Sequence, residues 1–327
     1  MRSHRQKRVV VLSSLGRRSK MQQLILPVLL ASFWTICTGA GDWCYQSQFS
    51  CDHQCNAPEN WNHANSGCVG RKQSPINIVT RKALKDERLT PFEFGNYQET
   101  FRGTIKNNGH SVQVGVPHLS TISGGGLPTR YKAVQFHLHW GKDGGPGSEH
   151  TIDGEQYPME LHIVHMKHEY TDLTTALKDP EGIAVLGFFY ERSNSANRKY
   201  EPIINSLKSI KSTSFNTSLP PISLTQLIPS EQNLTSYYRY KGSLTTPGCS
   251  EAVIWTVFEN PIPLSMEQLA AFSELQFHEG KRMVGNFRPV QPLNGRQVYK
   301  SGGAVILASS LLLVAAVATA LGLSQLD

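Results

Sequence analysis

Beyond its first twenty residues this 327-residue chain carries no excess of positive charge. The formal net charge is +7, but Arg2, Arg5, Lys7, Arg8, Arg17, Arg18 and Lys20 account for all of it, in a stretch with no acidic residue. The remainder therefore presents no electrostatic case for nucleic acid. A linker is also missing: nothing divides residues 71–300, which argues for one large domain rather than two small ones. Helical periodicity is scarce, which argues against a bundle. The C-terminal apolar stretch, Ala304 to Leu323, contains no charge and is followed only by Ser324-Gln325-Leu326-Asp327. A single span usually has Lys or Arg on its cytoplasmic side, and none is present here. The cysteines do not pair off evenly. Past Cys37 there remain Cys44, Cys51, Cys55, Cys68 and Cys249, so one is left free or pairs between chains.

What is present at the ends suggests export. Met21 opens an apolar run, Leu24 to Ile36, that closes on Thr38-Gly39-Ala40. The run is short for a span, and small residues at the −3 and −1 positions make a cleavage site. Residues 1–40 are therefore expected to be an extension and signal peptide, removed on export. The tail is about one bilayer long and follows Ser301-Gly302-Gly303, which favours a glycosylphosphatidylinositol (GPI) attachment signal over residues 301–327, with Ser301 as attachment residue. Export favours disulfides. Asn216-Thr217-Ser218 and Asn233-Leu234-Thr235 are glycosylation sequons.

Between the ends, residues 41–70 read as an irregular, disulfide-stapled segment. Phe101 to Val116 reads as two strands around Asn107-Asn108-Gly109, with His110, Val112 and Val114 on one face. Met159–Lys167, Gly182–Tyr190 and Ala252–Phe258 read as strands, the second a central one because it is apolar throughout. Tyr200–Ile210 and Ser265–Leu275 are the best helices, the latter opened by a Ser265/Gln268 capping box. The expected fold is mainly β (α+β): one domain, residues 41–300, around a large, mostly antiparallel twisted central sheet with short peripheral helices.

Chemistry centres on Gln135-Phe136-His137-Leu138-His139-Trp140. Alternation on a strand places Gln135, His137 and His139 on one side. Two imidazoles at i and i+2 can share a metal, and a catalytic zinc needs three protein ligands with a position left for water. Glu160-Leu161-His162-Ile163-Val164-His165 offers the third. Glu160 shares a face with His162 and can hold its other ring nitrogen, which favours His162; His165 faces the other way and reads as structural. Gln135 can serve a ligand on its own strand in the same way. Three neutral histidines leave a 2+ centre that lowers the pKa of its water from about 15.7 toward 7. By themselves the paired histidines are not specific, and Thr245-Thr246-Pro247 alone reads as an ordinary turn.

The motifs QSPINI, NNGH, FHLHWG, SEHTIDG, ELHIVH and GSLTTPGC, in this order over nearly the whole exported chain, resemble the α-class carbonic anhydrases, most closely their membrane-anchored type IV branch. The resemblance implies Zn2+ on His137, His139 and His162, and reversible hydration of carbon dioxide to bicarbonate through zinc-bound hydroxide. It implies that Thr245 accepts from that hydroxide and donates to Glu149, and that Thr246 lines the bicarbonate position. Val164, Val185, Leu244, Val253 and Trp255 match the family's apolar wall. His110 matches its proton shuttle, and Tyr45, Asn108 and Gln113 its water network. The pairings Cys68–Cys249 and Cys44–Cys55 match the branch; Cys51 departs from it, and Cys44–Cys51 is the alternative. An enzyme of this kind sits on the outer face of the plasma membrane by its lipid anchor, with bicarbonate transporters as candidate partners. A non-catalytic binding module on the same fold is disfavoured because no zinc histidine is missing. A zinc esterase with another substrate is separable by its turnover ratio.

Overall fold

Alternation, not propensity, sets the main sheet. In the computed structural model, which describes residues 43–50 and 55–302, ten strands lie along its path. In chain order they are β1 Leu84–Lys85, β2 Thr104–Asn107, β3 Val112–Gly115, β4 Tyr131–Trp140, β5 Met159–Lys167, β6 Ile183–Ser193, β7 Asn216–Ser218, β8 Tyr237–Gly242, β9 Val253–Ser265 and β10 Tyr299–Lys300. In space they run β7-β2-β3-β4-β5-β6-β9-β8-β10-β1. Phe92–Gly95 and Thr121–Gly124 branch from β4. The β6–β9 and β10–β1 pairs are parallel and the rest antiparallel. The mostly antiparallel expectation holds, with a parallel seam at the centre. The signal peptide, its cleavage site, Cys51 and the tail beyond Gly302 lie outside the described residues. Among the described residues no helix is long and apolar enough to cross a membrane.

The odd–even pattern of the strands separates two apolar clusters. Phe136, Leu138, Trp140, Leu161, Ile163, Leu186 and Phe188 belong to the larger. Burying each such side chain stabilises the fold by about 1.5–3 kcal/mol. Val164, Val185, Val253, Trp255 and Val257 belong to the smaller, on the opposite face. β6 is buried from Ile183 to Tyr190, so its apolar run has both faces covered, as expected for a central strand.

The helices are short and peripheral. α1 spans Glu201–Ser206 and α2 Met266–Ala271, each continued by a 3-10 turn. Ser265 and Gln268 form the expected capping box. The Asn107–Gly109 turn also forms, with Gly109 at φ 89°. One detail differs: His110 does not share the face of Val112 and Val114. Asn108 Oδ1 accepts the amides of His110 and Ser111, so the turn runs through His110 and the strand alternation starts only at Val112.

His165 is buried on the far face. Its Nε2 lies 2.6 Å from the Tyr97 hydroxyl, and its Nδ1 donates to the Ala184 carbonyl at 3.3 Å. Burial pulls its pKa down to about 4. The ring stays neutral in the fold while the unfolded chain titrates near 6.5, so stability is full above pH 6.5 and falls as pH drops toward 4. The loss across that window is about 3 kcal/mol. Chemical denaturation of wild type and His165→Gln at pH 7 and pH 4.5 should show a flatter pH dependence in the variant; equal dependence would contradict this assignment.

Candidate metal centre

Register brings the histidines together. His137 on β4 lies opposite Gln113 on β3 and His162 on β5, and His139 lies opposite Glu160. Residues opposite one another on neighbouring strands share a face. His162 in turn faces Gly187 on β6, where a side chain would press on Glu160 Oε1 at 3.2 Å from its Cβ. A metal-ligating atom from each of His137, His139 and His162 lies within 4.8 Å of the others.

The outer ring nitrogen of each imidazole is already committed. His137 Nδ1 meets Gln135 Oε1 at 2.9 Å, His139 Nδ1 meets the Asn286 carbonyl at 2.7 Å, and His162 Nε2 meets Glu160 Oε1 at 2.8 Å. All three partners are acceptors, so each ring donates outward and turns a lone pair inward. The 3.3 Å approach of His162 Nδ1 to His137 Nε2 then sets lone pair against lone pair, which is the spacing of ligands sharing a cation and not a hydrogen bond. His139 Nε2 is buried without a hydrogen bond, and so is Glu149 Oε2, 3.5 Å from it. Packed surroundings and two neighbouring imidazoles hold the His137 pKa well below the usual histidine value, and burial lowers that of His139. Those two rings are thus neutral at physiological pH, as metal ligation requires. This donor set of three imidazoles with a nearby carboxylate fits a divalent cation of the zinc kind.

Glu160 is a hub. Its Oε1 also takes His150 Nδ1 at 2.7 Å, and its Oε2 accepts the amides of Glu149 and His150, both at 2.8 Å. Burial works against its charge, but His150 and His162 outweigh that and hold its pKa well below the carboxylate range. His150 Nε2 continues to the Tyr240 hydroxyl at 2.6 Å, which meets Ser74 Oγ at 2.9 Å. Ser74 Oγ accepts the Ser243 amide, two residues before Thr245. The histidine layer and the threonine loop are therefore joined by one buried chain of hydrogen bonds.

Glu149 is fixed by Arg288, whose amide donates to its Oε1 at 2.8 Å. The expected hydrogen bond from Thr245 to Glu149 is not among those formed: Oε1 is taken by Arg288, and Oε2 is turned toward the imidazoles. The buried Arg288 guanidinium lies over Trp61 and donates to Gln73 Oε1 and the Ser74 carbonyl. Burial pulls its pKa down to about 10, against the pull of Glu149. Gln73 Nε2 reaches the Cys249 carbonyl at 3.2 Å.

A cleft of about 170 Å³ opens beside the histidines, lined by Gln135, His137, His162, Val164, Leu173, Leu177, Ile183, Val185, Leu244, Thr245, Thr246 and Trp255. Val253 packs in the same cluster but does not line it. His110 stacks on Trp43, with ring centroids 3.9 Å apart. Asn108 Nδ2 donates to Gln113 Oε1 at 3.1 Å. Tyr45 is fully buried, and burial with the charge of Glu149 pushes its pKa well up.

Disulfides join Cys44 to Cys55 and Cys68 to Cys249. The second fastens the loop carrying Thr245 to the N-terminal segment across 181 residues of sequence and holds Cys249 at φ 44°. Asn216 and Asn233 are exposed. Ser301 is tied to the sheet edge: its amide donates to the Tyr237 carbonyl, its hydroxyl to the Thr235 carbonyl, and it accepts the Tyr237 amide.

Sequence reasoning missed Asn286, His150, Tyr240, Ser74 and Arg288. Asn286 acts on His139 through its carbonyl, a group every residue has, and its side chain also donates to the His110 carbonyl. His150 stood beside Glu149 in the sequence, and a buried histidine next to a carboxylate was the one available signal.

A family model described as eukaryotic-type carbonic anhydrase matches residues 56–302. The chain is 43% identical over 265 residues to carbonic anhydrase 4 of Oryctolagus cuniculus, covering 80% of this chain and 85% of that protein. It is 36% identical over 299 residues to carbonic anhydrase 15 of Mus musculus, covering 87% and 91%. Against carbonic anhydrase 12 of Homo sapiens it is 39% identical over 251 residues, covering 74% and 70%.

Proposed function

The chain belongs to the eukaryotic-type carbonic anhydrase family and is a carbonate dehydratase; we propose that it interconverts carbon dioxide and bicarbonate outside the cell, at a zinc ion held by His137, His139 and His162. The observation that carries the metal assignment is the convergence of three imidazole lone pairs whose outer nitrogens are all bonded to acceptors. Zinc there supplies a Lewis acid that brings the pKa of water from about 15.7 toward 7, making hydroxide available at neutral pH.

The protein's own residues do the rest. Val164, Val185, Leu244 and Trp255 form an apolar wall beside the histidines, with Val253 packed among them, suited to a substrate without charge or dipole. Thr246 on the same cleft positions the bicarbonate oxygens. Thr245 lines the same cleft, and were its hydroxyl proton given to Glu149, as the resemblance implies, it could only accept from the attacking oxygen and would aim that oxygen's lone pair at carbon. Arg288 holds Glu149 beside the imidazoles. Each turnover releases a proton, and His110 relays it to buffer along polar groups that include Tyr45, Asn108 and Gln113, imidazole being the side chain whose ordinary pKa lies nearest neutrality. His110→Ala should slow hydration in weak buffer by up to about 10²-fold and be partly rescued by added imidazole. Stopped-flow hydration at two buffer concentrations reads this; indifference to buffer would remove His110 from the mechanism.

The apolar N-terminal run, the uncharged tail and the exposed sequons at Asn216 and Asn233 support a glycosylated, lipid-anchored protein at the cell surface, with attachment at Ser301. The hydrogen bonds of Ser301 use its amide and hydroxyl and leave its carboxyl for the anchor. Retention on cells after phosphatidylinositol-specific phospholipase treatment would refute the anchor. Bicarbonate transporters are candidate partners at that surface. The decisive test of the enzyme is zinc stoichiometry together with the hydration rate of the purified protein.

A further inference from the structure

A second cavity, of about 540 Å³, lies among β8, β10 and β1, and its charge is unbalanced. Lys72, Arg88, Arg239, Lys241 and Arg296 line it, against only Asp86 and Glu181. Both acids are already engaged: Asp86 takes Nε and Nη2 of Arg88 at 3.0 and 2.8 Å, and Glu181 takes Lys241 Nζ at 2.6 Å.

Arg239 is the group without an acid in contact, although Asp86 acts on it at longer range. It is 7% exposed, yet among the described residues no carboxylate lies within 4.0 Å of it. Its Nε and Nη2 both donate to the single hydroxyl of Thr256, at 3.1 and 2.9 Å, and among the described residues Nη1 has no hydrogen-bond acceptor. The rings of Phe92 and Tyr237, each 5.8 Å from the guanidinium carbon, give it cation–π contact. Those are weak substitutes for a counter-ion in a buried position. Burial accordingly pulls the Arg239 pKa down to about 10, which still leaves it charged at neutral pH. Arg296 repeats the pattern: its donors go to the carbonyls of Gln73, Lys241, Pro292 and Leu293, and it lies over Tyr240.

Arg239 pairs with Thr256 on β9, one residue out of step with Tyr240 and Trp255, so it projects to the face opposite the imidazoles. The cavity thus opens on the other face of the sheet at Arg239, and it shares Tyr240 with the hydrogen-bond chain of the histidine layer.

We propose that this cavity is an oxyanion site for a phosphate group, with Arg239 at its floor and Lys72 on its rim. A guanidinium edge with free N–H donors matches phosphate oxygens, and charge-assisted bonds of this kind are the strong ones. The surplus of cations over acids favours an anion, and phosphate oxygens suit a guanidinium edge. Inorganic phosphate and the phosphodiester headgroup of a lipid offer the same chemistry.

Isothermal titration of the zinc-loaded protein at constant ionic strength tests this, with inorganic phosphate in one arm and phosphatidylcholine vesicles, with and without phosphatidylinositol, in the other. One saturable phosphate site is expected, weakened roughly tenfold or more in Arg239→Met while hydration activity is retained. Lys72→Glu, a surface change, should also weaken it. Binding confined to phosphatidylinositol vesicles, with the same dependence on Arg239, assigns the site to the headgroup. No saturable binding in either arm overturns the proposal, and so does unchanged affinity in either variant. Should Arg239→Met not fold, Lys72→Glu decides.

Discussion

His137→Ala is expected to leave the purified protein without stoichiometric zinc and to reduce hydration to the uncatalysed rate. His137 is the histidine most open to the cleft, so its removal disturbs packing least while removing one of three inward lone pairs. What remains is His139 Nε2 and His162 Nδ1, at 3.5 and 3.9 Å from Glu149 Oε2, which is short of the three imidazoles a catalytic zinc site needs. Because bound metal stabilises only the folded form, the variant should also lose the rise in Tm that zinc confers on wild type, worth about 4 kcal/mol at a thousandfold excess over Kd. Metal analysis, stopped-flow hydration and thermal melts with and without zinc check the three parts. A variant that retains one zinc per chain and its rate would place the metal elsewhere.

Glu160→Gln should be nearly as damaging, although the residue does not face the inward lone pairs. The carboxylate accepts from four donors: two imidazole N–H groups and two backbone amides. Glutamine presents one acceptor and one amino group. Whichever way it turns, its N–H₂ meets a pair of donors, at a cost of about 1–3 kcal/mol for each donor left unsatisfied. If the amino group faces His162, that ring is pressed to move its proton to Nδ1, the nitrogen that should hold metal. Zinc affinity is expected to fall by about 10–100-fold, the usual effect of losing such a partner. Competition titration with a chelator of known affinity measures this. A lowered Tm with unchanged zinc affinity would reduce Glu160 to a structural role. The same experiment on Gln135→Ala should give a smaller loss, since Gln135 is neutral and makes one bond to the site.

Strand alternation and a nearby carboxylate were enough to select His137, His139 and His162 and to set His165 aside, because these are local properties of one strand at a time. The Asn107–Gly109 turn, the α2 capping box and the apolar central strand were legible for the same reason. Their determinants lie within a few residues. Hydrogen bonds across the fold were not. The Asn286 carbonyl on His139 spans 147 residues, and Arg288 reaches Gln73 across 215. The parallel pairing of β6 with β9 was not legible either, since a run buried on both faces shows that neighbours exist but not their direction.

By itself the sequence determined the candidate ligand types, their spacing on strands and the apolar side of each strand, since alternation follows from covalent geometry and burial. Only the tertiary structure decided which nitrogen of each histidine faces inward, because that depends on acceptors brought from distant segments. It also decided that Glu149 hangs from Arg288, that Glu160 serves two histidines, and that Arg239 is buried with no acid in contact. Each is a matter of which charge or hydrogen-bonding group lies within a few ångströms after folding, and no strand carries that information alone.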